Sequence, residues 1–192
     1  MVKKLVAIGV AIVFLVFMGA IWQNINSNAV YYAVHCPHEQ ETRPILVEVC
    51  NHIWSVDGPD LKAPDIEKTG VSYDIDWRVK YQTIHNDKYN LMLAKSNVDK
   101  NIYASFDTDY GDPDKEGKER VLVFNPSGKL IAITTNDEHG GEKKERLSLQ
   151  SKEEYLRKID RTLDEIIVSQ PNQSPKINLQ WIYNLLNYKR FN

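Results

Sequence analysis

The sequence is poor in the features that most often betray chemistry. Its 192 residues include two cysteines, nine glycines and eight prolines, which excludes a collagen-like repeat and does not suit a disordered, low-complexity chain. No internal repeat is visible. Charge is nearly balanced, with 24 Lys and Arg against 26 Asp and Glu. No basic patch stands out, and this argues against nucleic acid as a partner, because phosphate binding needs concentrated positive charge. Also missing are Gly-x-Ser-x-Gly, a P-loop, His-Glu-x-x-His, Cys-x-x-Cys and a dinucleotide fingerprint. The common enzyme classes lose weight accordingly, and no cofactor is implied.

The most informative absence is local. Leu5 to Trp22 is an eighteen-residue run without a charge, preceded by Lys3 and Lys4 and followed by no charged residue until Glu39. As a helix it spans roughly 27 Å, close to the hydrocarbon thickness of a bilayer. The positive-inside bias then makes residues 1–23 a cytoplasmic tip and transmembrane signal-anchor, with the lipid bilayer as the partner of Leu5–Trp22. Residues 24–29 follow as a short polar linker and 30–192 as an exported domain. A cleaved signal peptide is the alternative, since Ser27-Asn28-Ala29 has the small-x-small form, and the domain would then be periplasmic or secreted. Without Lys3 and Lys4 the remainder holds 22 basic and 26 acidic residues, a net of −4.

The domain is expected to be α+β. Pro44 followed by Leu46, Val49, Cys50, Ile53 and Trp54 predicts a short helix, although Ile45, Val47 and Val49 are β-branched. Val71, Tyr73, Ile75, Trp77, Val79 and Tyr81 alternate with polar residues, which predicts one long strand. Further strands are expected over 89–95, 102–106, 120–124 and 129–135, the last two joined by Asn125-Pro126-Ser127-Gly128. The result is an antiparallel meander of about five strands. Ser151 with Glu154 forms a capping-box pattern ahead of the stripe Tyr155, Leu156, Ile159, Leu163, Ile166 and Ile167. A last helix is expected from Ser174-Pro175, packing on the sheet.

Three constellations merit a chemical reading. Cys36 and Cys50 are expected to form a disulfide outside the cytoplasm, while Cys36, His38, Cys50 and His52 offer an alternative metal or thiol site. Tyr73, Trp77 and Tyr81 form an aromatic row that either lines a ligand cavity or fills the core. Asp107, Asp109, Asp112, Asp114 and Glu116 resemble a calcium loop, but an EF-hand register puts Gly111 and Lys118 where oxygen ligands belong. His85 and His139 sit in expected turns with no acid or nucleophile at recognisable spacing. The expectation that results is a single-pass envelope protein whose exported domain binds another envelope protein or a small apolar ligand without catalysis. A metal-binding or thiol protein is the alternative.

Overall fold

The uncharged N-terminal run forms helix α1, Val2–Ser27. It is long and apolar enough to cross a membrane, and none of its most apolar stretch is buried against the rest of the chain. The computed structural model describes residues 2–53, 61–76, 81–107, 119–136, 142–171 and 174–192. The segment expected as a polar connector is helical instead: α1 runs through it, and α2, Ala29–Val34, follows after Asn28. The asparagines explain this, because the Asn28 amide donates to the Asn24 carbonyl at 2.7 Å and Tyr32 Oη donates to Asn24 Oδ1 at 2.8 Å. Ile25, Ala29, Val30, Tyr32 and Ala33 enter the core, so the anchor-like helix and the domain share one packed interior.

Helix α3, Pro44–His52, begins with proline at its first turn, where the missing N–H is harmless. Its β-branched residues are tolerated because Leu46, Val47, Val49 and Cys50 are all buried, and packing overrides propensity. A single turn, α4 (Ile66–Thr69), is capped by Asp65 and closed by Gly70 at φ 73°. Seven strands follow in one antiparallel sheet whose spatial order equals chain order: β1 Val71–Asp76, β2 Tyr81–Asn86, β3 Leu91–Lys95, β4 Ile102–Asp107, β5 Glu119–Phe124, β6 Leu130–Asn136 and β7 Glu142–Lys144. Two of these were not expected. The run 71–82 is not one strand, since β1 pairs with β2 through Tyr73↔Ile84 and Asp76↔Tyr81. The edge strand β7 is Glu-Lys-Lys, which carries no hydrophobic signal.

One face of the sheet carries Val71, Ile84, Leu91, Leu93, Ile102, Ala104, Phe106, Leu122 and Phe124, all buried. Helix α5, Leu149–Ser169, covers this side with Ile159, Leu163 and Ile166. A buried hydrogen bond from Asn86 Nδ2 to Thr162 Oγ1 at 2.8 Å fixes helix to strand. The cap of α5 is Ser148 rather than Ser151, and its hydroxyl accepts from Ser151 N at 3.1 Å.

Helix α6 is Gln180–Phe191, later than Ser174-Pro175 suggested, and no side chain caps it. Its buried side meets α2, with the rings of Tyr32 and Tyr183 5.5 Å apart. Trp181, Leu185, Leu186 and Tyr188 stay exposed, so the expected packing of this helix on the sheet accounts for little of its apolar surface. The C-terminal segment is stitched to the N-terminal one: Leu179 N donates to Tyr32 Oη at 3.1 Å, and Glu39 N and Thr42 Oγ1 both donate to the Phe191 carbonyl.

Candidate functional site

A polar cluster lies where α1, α3 and α6 meet. Glu48 stands in the middle of α3 between Val47 and Val49 and is only 5% exposed. A buried carboxylate needs partners, and Glu48 has three on one side of the helix. Tyr183 Oη and Arg190 Nη1 donate to Oε1 at 3.1 Å each, and Asn51 Nδ2 donates to Oε2 at 3.1 Å. Lys95 of β3 reaches the other end of the Asn51 amide, donating to Oδ1. Burial, followed by the Glu48 charge, pushes the Tyr183 phenol up, and the same two causes raise the Cys36 thiol. Burial and then the nearby Arg190 lower the Lys95 ammonium.

His52, one turn along from Glu48, connects this cluster to α1. Its Nδ1 lies 2.8 Å from the Glu48 carbonyl oxygen and its Nε2 lies 2.9 Å from the Asn26 carbonyl oxygen. The ring is thus held between two backbone carbonyls, one of α3 and one of α1. The Glu48 carboxylate stands 3.8 Å from Nδ1.

Beside the cluster is a cavity of about 600 Å³, lined by Trp22, Ile25, Asn26 and Ala29 from the first two helices, by Glu48, Asn51 and His52 from α3, and by Tyr183, Leu186, Asn187 and Arg190 from α6. Its walls are part apolar and part amide, with Arg190 at one edge. The acid, the phenol and the guanidinium are all engaged with one another. The arrangement therefore offers orientation and hydrogen bonding to an occupant rather than a poised nucleophile or base. A second cavity of about 390 Å³ opens at the β2–β3 end of the sheet and includes His85, Met92, Ser105, Asp107 and Glu119. His85 Nε2 is engaged there with Thr83 Oγ1 at 2.8 Å.

Of the candidate site residues singled out in the sequence, His52 lines the first of these cavities and the others do not. Cys36 and Cys50 are both buried and free, so the expected disulfide is not formed in this structure. Cys36 Sγ donates to the Pro37 carbonyl at 3.4 Å, whereas burial pushes the Cys50 thiol up to about 12, partly opposed by Lys95. His38 is exposed and holds the Cys36 carbonyl at 2.8 Å, and His52 is occupied as described. Among the described residues no three His, Cys, Asp or Glu side chains, Cys36, His38, Cys50 and His52 included, are placed to hold a metal ion.

The aromatic row is described only in part. Tyr73 is half-buried on the helix-facing side and donates to the Lys62 carbonyl at 3.3 Å, with burial pushing its phenol up. Trp77 lies outside the described residues. Tyr81 pairs with Asp76, three rungs from the Tyr73↔Ile84 pair, so the two tyrosines occupy alternating positions in the register rather than one face. Of the acidic loop, Asp107 ends β4, while Asp109, Asp112, Asp114 and Glu116 lie outside the described residues, as does His139.

Comparison of the chain with protein-family models, curated proteins and solved structures gives no match. The fold is an α+β unit with an N-terminal apolar helix and an open seven-stranded antiparallel sheet.

Proposed function

We propose that this protein is a single-pass envelope protein with a cytoplasmic N-terminus, whose extracytoplasmic α+β domain is a non-enzymatic binding module. It takes another envelope protein or a small, partly apolar ligand at the cavity beside α1. The observation that carries this reading is the contrast along α1. Its stretch from Val6 to Met18 is exposed throughout, while Ile25, one turn past the span, is buried in the domain core. An exposed apolar helix of this length calls for a lipid environment, and its fusion to the core holds a cavity of ligand-sized volume just outside the span.

The cleaved form is less well supported. Asn24, Ile25, Asn26 and Ala29, on the near side of a cut after Ala29, supply hydrogen bonds, core contacts and a cavity wall. Removing them would strip the domain of part of its interior.

Two measurements test the proposal in cells. After alkaline washing the full-length protein should remain with the membrane pellet, and an externally added impermeant protease should degrade the domain. Release into the wash, or protection from outside, would overturn the anchor and its orientation. A photo-crosslinking side chain at Asn187 should trap a discrete partner. If it traps none and no small-molecule fraction raises the melting temperature, the binding-module assignment fails.

A further inference from the structure

We infer that α6 is a second membrane contact, an amphipathic helix lying in the headgroup layer of an anionic leaflet beside the point where α1 emerges. This rests on the reading of α1 as a membrane anchor. Tyr183 and Phe191 take the packed side of α6. Away from them, Trp181, Leu185, Leu186 and Tyr188 are between 58% and 70% exposed, and Ile177, just ahead of the helix, is 65% exposed. Trp181, Leu185 and Tyr188 recur at i, i+4 and i+7 and so form one stripe. An apolar surface of this size on a water-facing helix marks an interaction site.

Its position says what covers it. Asn24 Nδ2 donates to the Ile177 carbonyl at 3.3 Å, and Trp22 and Leu186 line the same cavity. Asn24 is two residues past Trp22, or about 3 Å along the helix axis. The apolar side of α6 therefore begins at the level where α1 passes from hydrocarbon to water, where tryptophan and tyrosine are favoured.

Charge points the same way. Residues 170–192 contain Lys176, Lys189 and Arg190 and neither Asp nor Glu, in a chain whose overall charge is −2; Arg190 is paired with Glu48, which leaves the two lysines to meet the lipid. A basic segment with exposed Trp, Leu and Tyr at interface depth has the character of an interfacial helix drawn to anionic lipid.

Brominated acyl chains test the assignment in the full-length protein reconstituted into phosphatidylcholine vesicles with and without phosphatidylglycerol. Fluorescence of the wild type is compared with that of Trp22→Phe, which reports the anchor, and Trp181→Phe, which reports α6. Trp181 is exposed, so its replacement leaves the packing intact. Each substitution should remove part of the quenching, and the part removed by Trp181→Phe should grow with phosphatidylglycerol and shrink in Lys176→Gln/Lys189→Gln. If Trp181→Phe leaves the quenching unchanged while Trp22→Phe reduces it, the α6 assignment falls and the anchor stands. If only Trp181→Phe reduces it, the anchor falls and the surface contact of α6 stands alone. Trp181 shielded from aqueous quenchers yet untouched by bromolipid would mean that protein covers this face, which also overturns the proposal.

Discussion

His52 Nε2 lies 2.9 Å from the carbonyl oxygen of Asn26, joining the end of α3 to the last turn of α1. His52→Leu keeps the volume roughly constant but removes both ring hydrogen bonds, leaving the Glu48 charge without its nearest imidazole. The expected loss is about 1–3 kcal/mol in denaturant unfolding, the range for leaving a buried hydrogen-bonding partner unsatisfied. Hydrogen exchange should rise at amides 22–28 and hold steady in strands β3 to β5. Unchanged exchange at the end of α1 would show that His52 does not secure that helix.

Tyr183 and Arg190 both donate to Glu48 Oε1, so their contributions should not be independent. Tyr183→Phe is expected to cost about 1 kcal/mol and Arg190→Leu about 2 kcal/mol. The latter figure is held down because Arg190 is one-third exposed and Asn51 still serves the other oxygen. The double variant should depart from additivity by at least about 0.5 kcal/mol. Strict additivity in a double-mutant cycle would mean that the two donors do not share this carboxylate.

The buried thiols give a pH dependence of definite sign. The Cys50 thiol ordinarily ionises near 9.0 and in the folded domain is pushed up to about 12. Between these values the folded state binds the proton more tightly than the unfolded one, so this contribution to stability is complete below about pH 9 and declines as pH rises toward about 12. The melting temperature should fall across that window, and Cys50→Ala should flatten the slope. Near neutral pH, iodoacetamide should modify neither cysteine in the native protein and both in urea. Rapid labelling of the native form would contradict the burial of Cys36 and Cys50.

Gly128 closes the β5–β6 hairpin at φ 76°, and a Cβ placed there would sit 2.7 Å from the Arg43 carbonyl oxygen, just ahead of α3. Gly128→Ala combines left-handed strain with a clash against backbone that cannot swing aside. About 2–4 kcal/mol of destabilisation is expected in thermal or urea unfolding. Gly19→Ala, with nothing within 4 Å of the added carbon, serves as the control and should leave domain stability unchanged. Equal behaviour of the two variants would rule out the close approach at Gly128.

The sheet was legible where alternation, turn chemistry and chain reversal agreed. Asn125 to Gly128 is such a place: Asn125 Oδ1 accepts from Ser127 N and Lys129 N at 3.0 Å each, the local chemistry that Asn-Pro-Ser-Gly announces. It was misleading over 71–82, where the alternation of the sequence runs on without a glycine or proline although Val71–Asp76 and Tyr81–Asn86 are two paired strands. Because the hairpin pairs Tyr73 with Ile84, the side of the sheet held by odd positions in β1 belongs to even positions in β2, and Tyr81 falls out of phase. Glu48 was not singled out in the sequence, and its partners Tyr183 and Arg190 lie 135 and 142 positions away. Long-range pairing of that kind leaves no local periodicity. The last helix was legible as a helix and its exposed apolar side was not, because the pattern is the same whether protein or another medium covers it.

The stitching of the N-terminal helices to residues 177–191 has a kinetic consequence. Each strand of the meander pairs with its neighbour in sequence, so the sheet needs only short loop closures and can zip early, while the contacts of Tyr32 with Leu179 and of Thr42 with Phe191 join residues 147 and 149 positions apart. Folding should therefore finish in two stages, a fast local one in the middle and a slower closure of the ends. Until α6 arrives, Glu48 is without Tyr183 and Arg190, and the final segment of the chain sets the time at which the domain becomes complete.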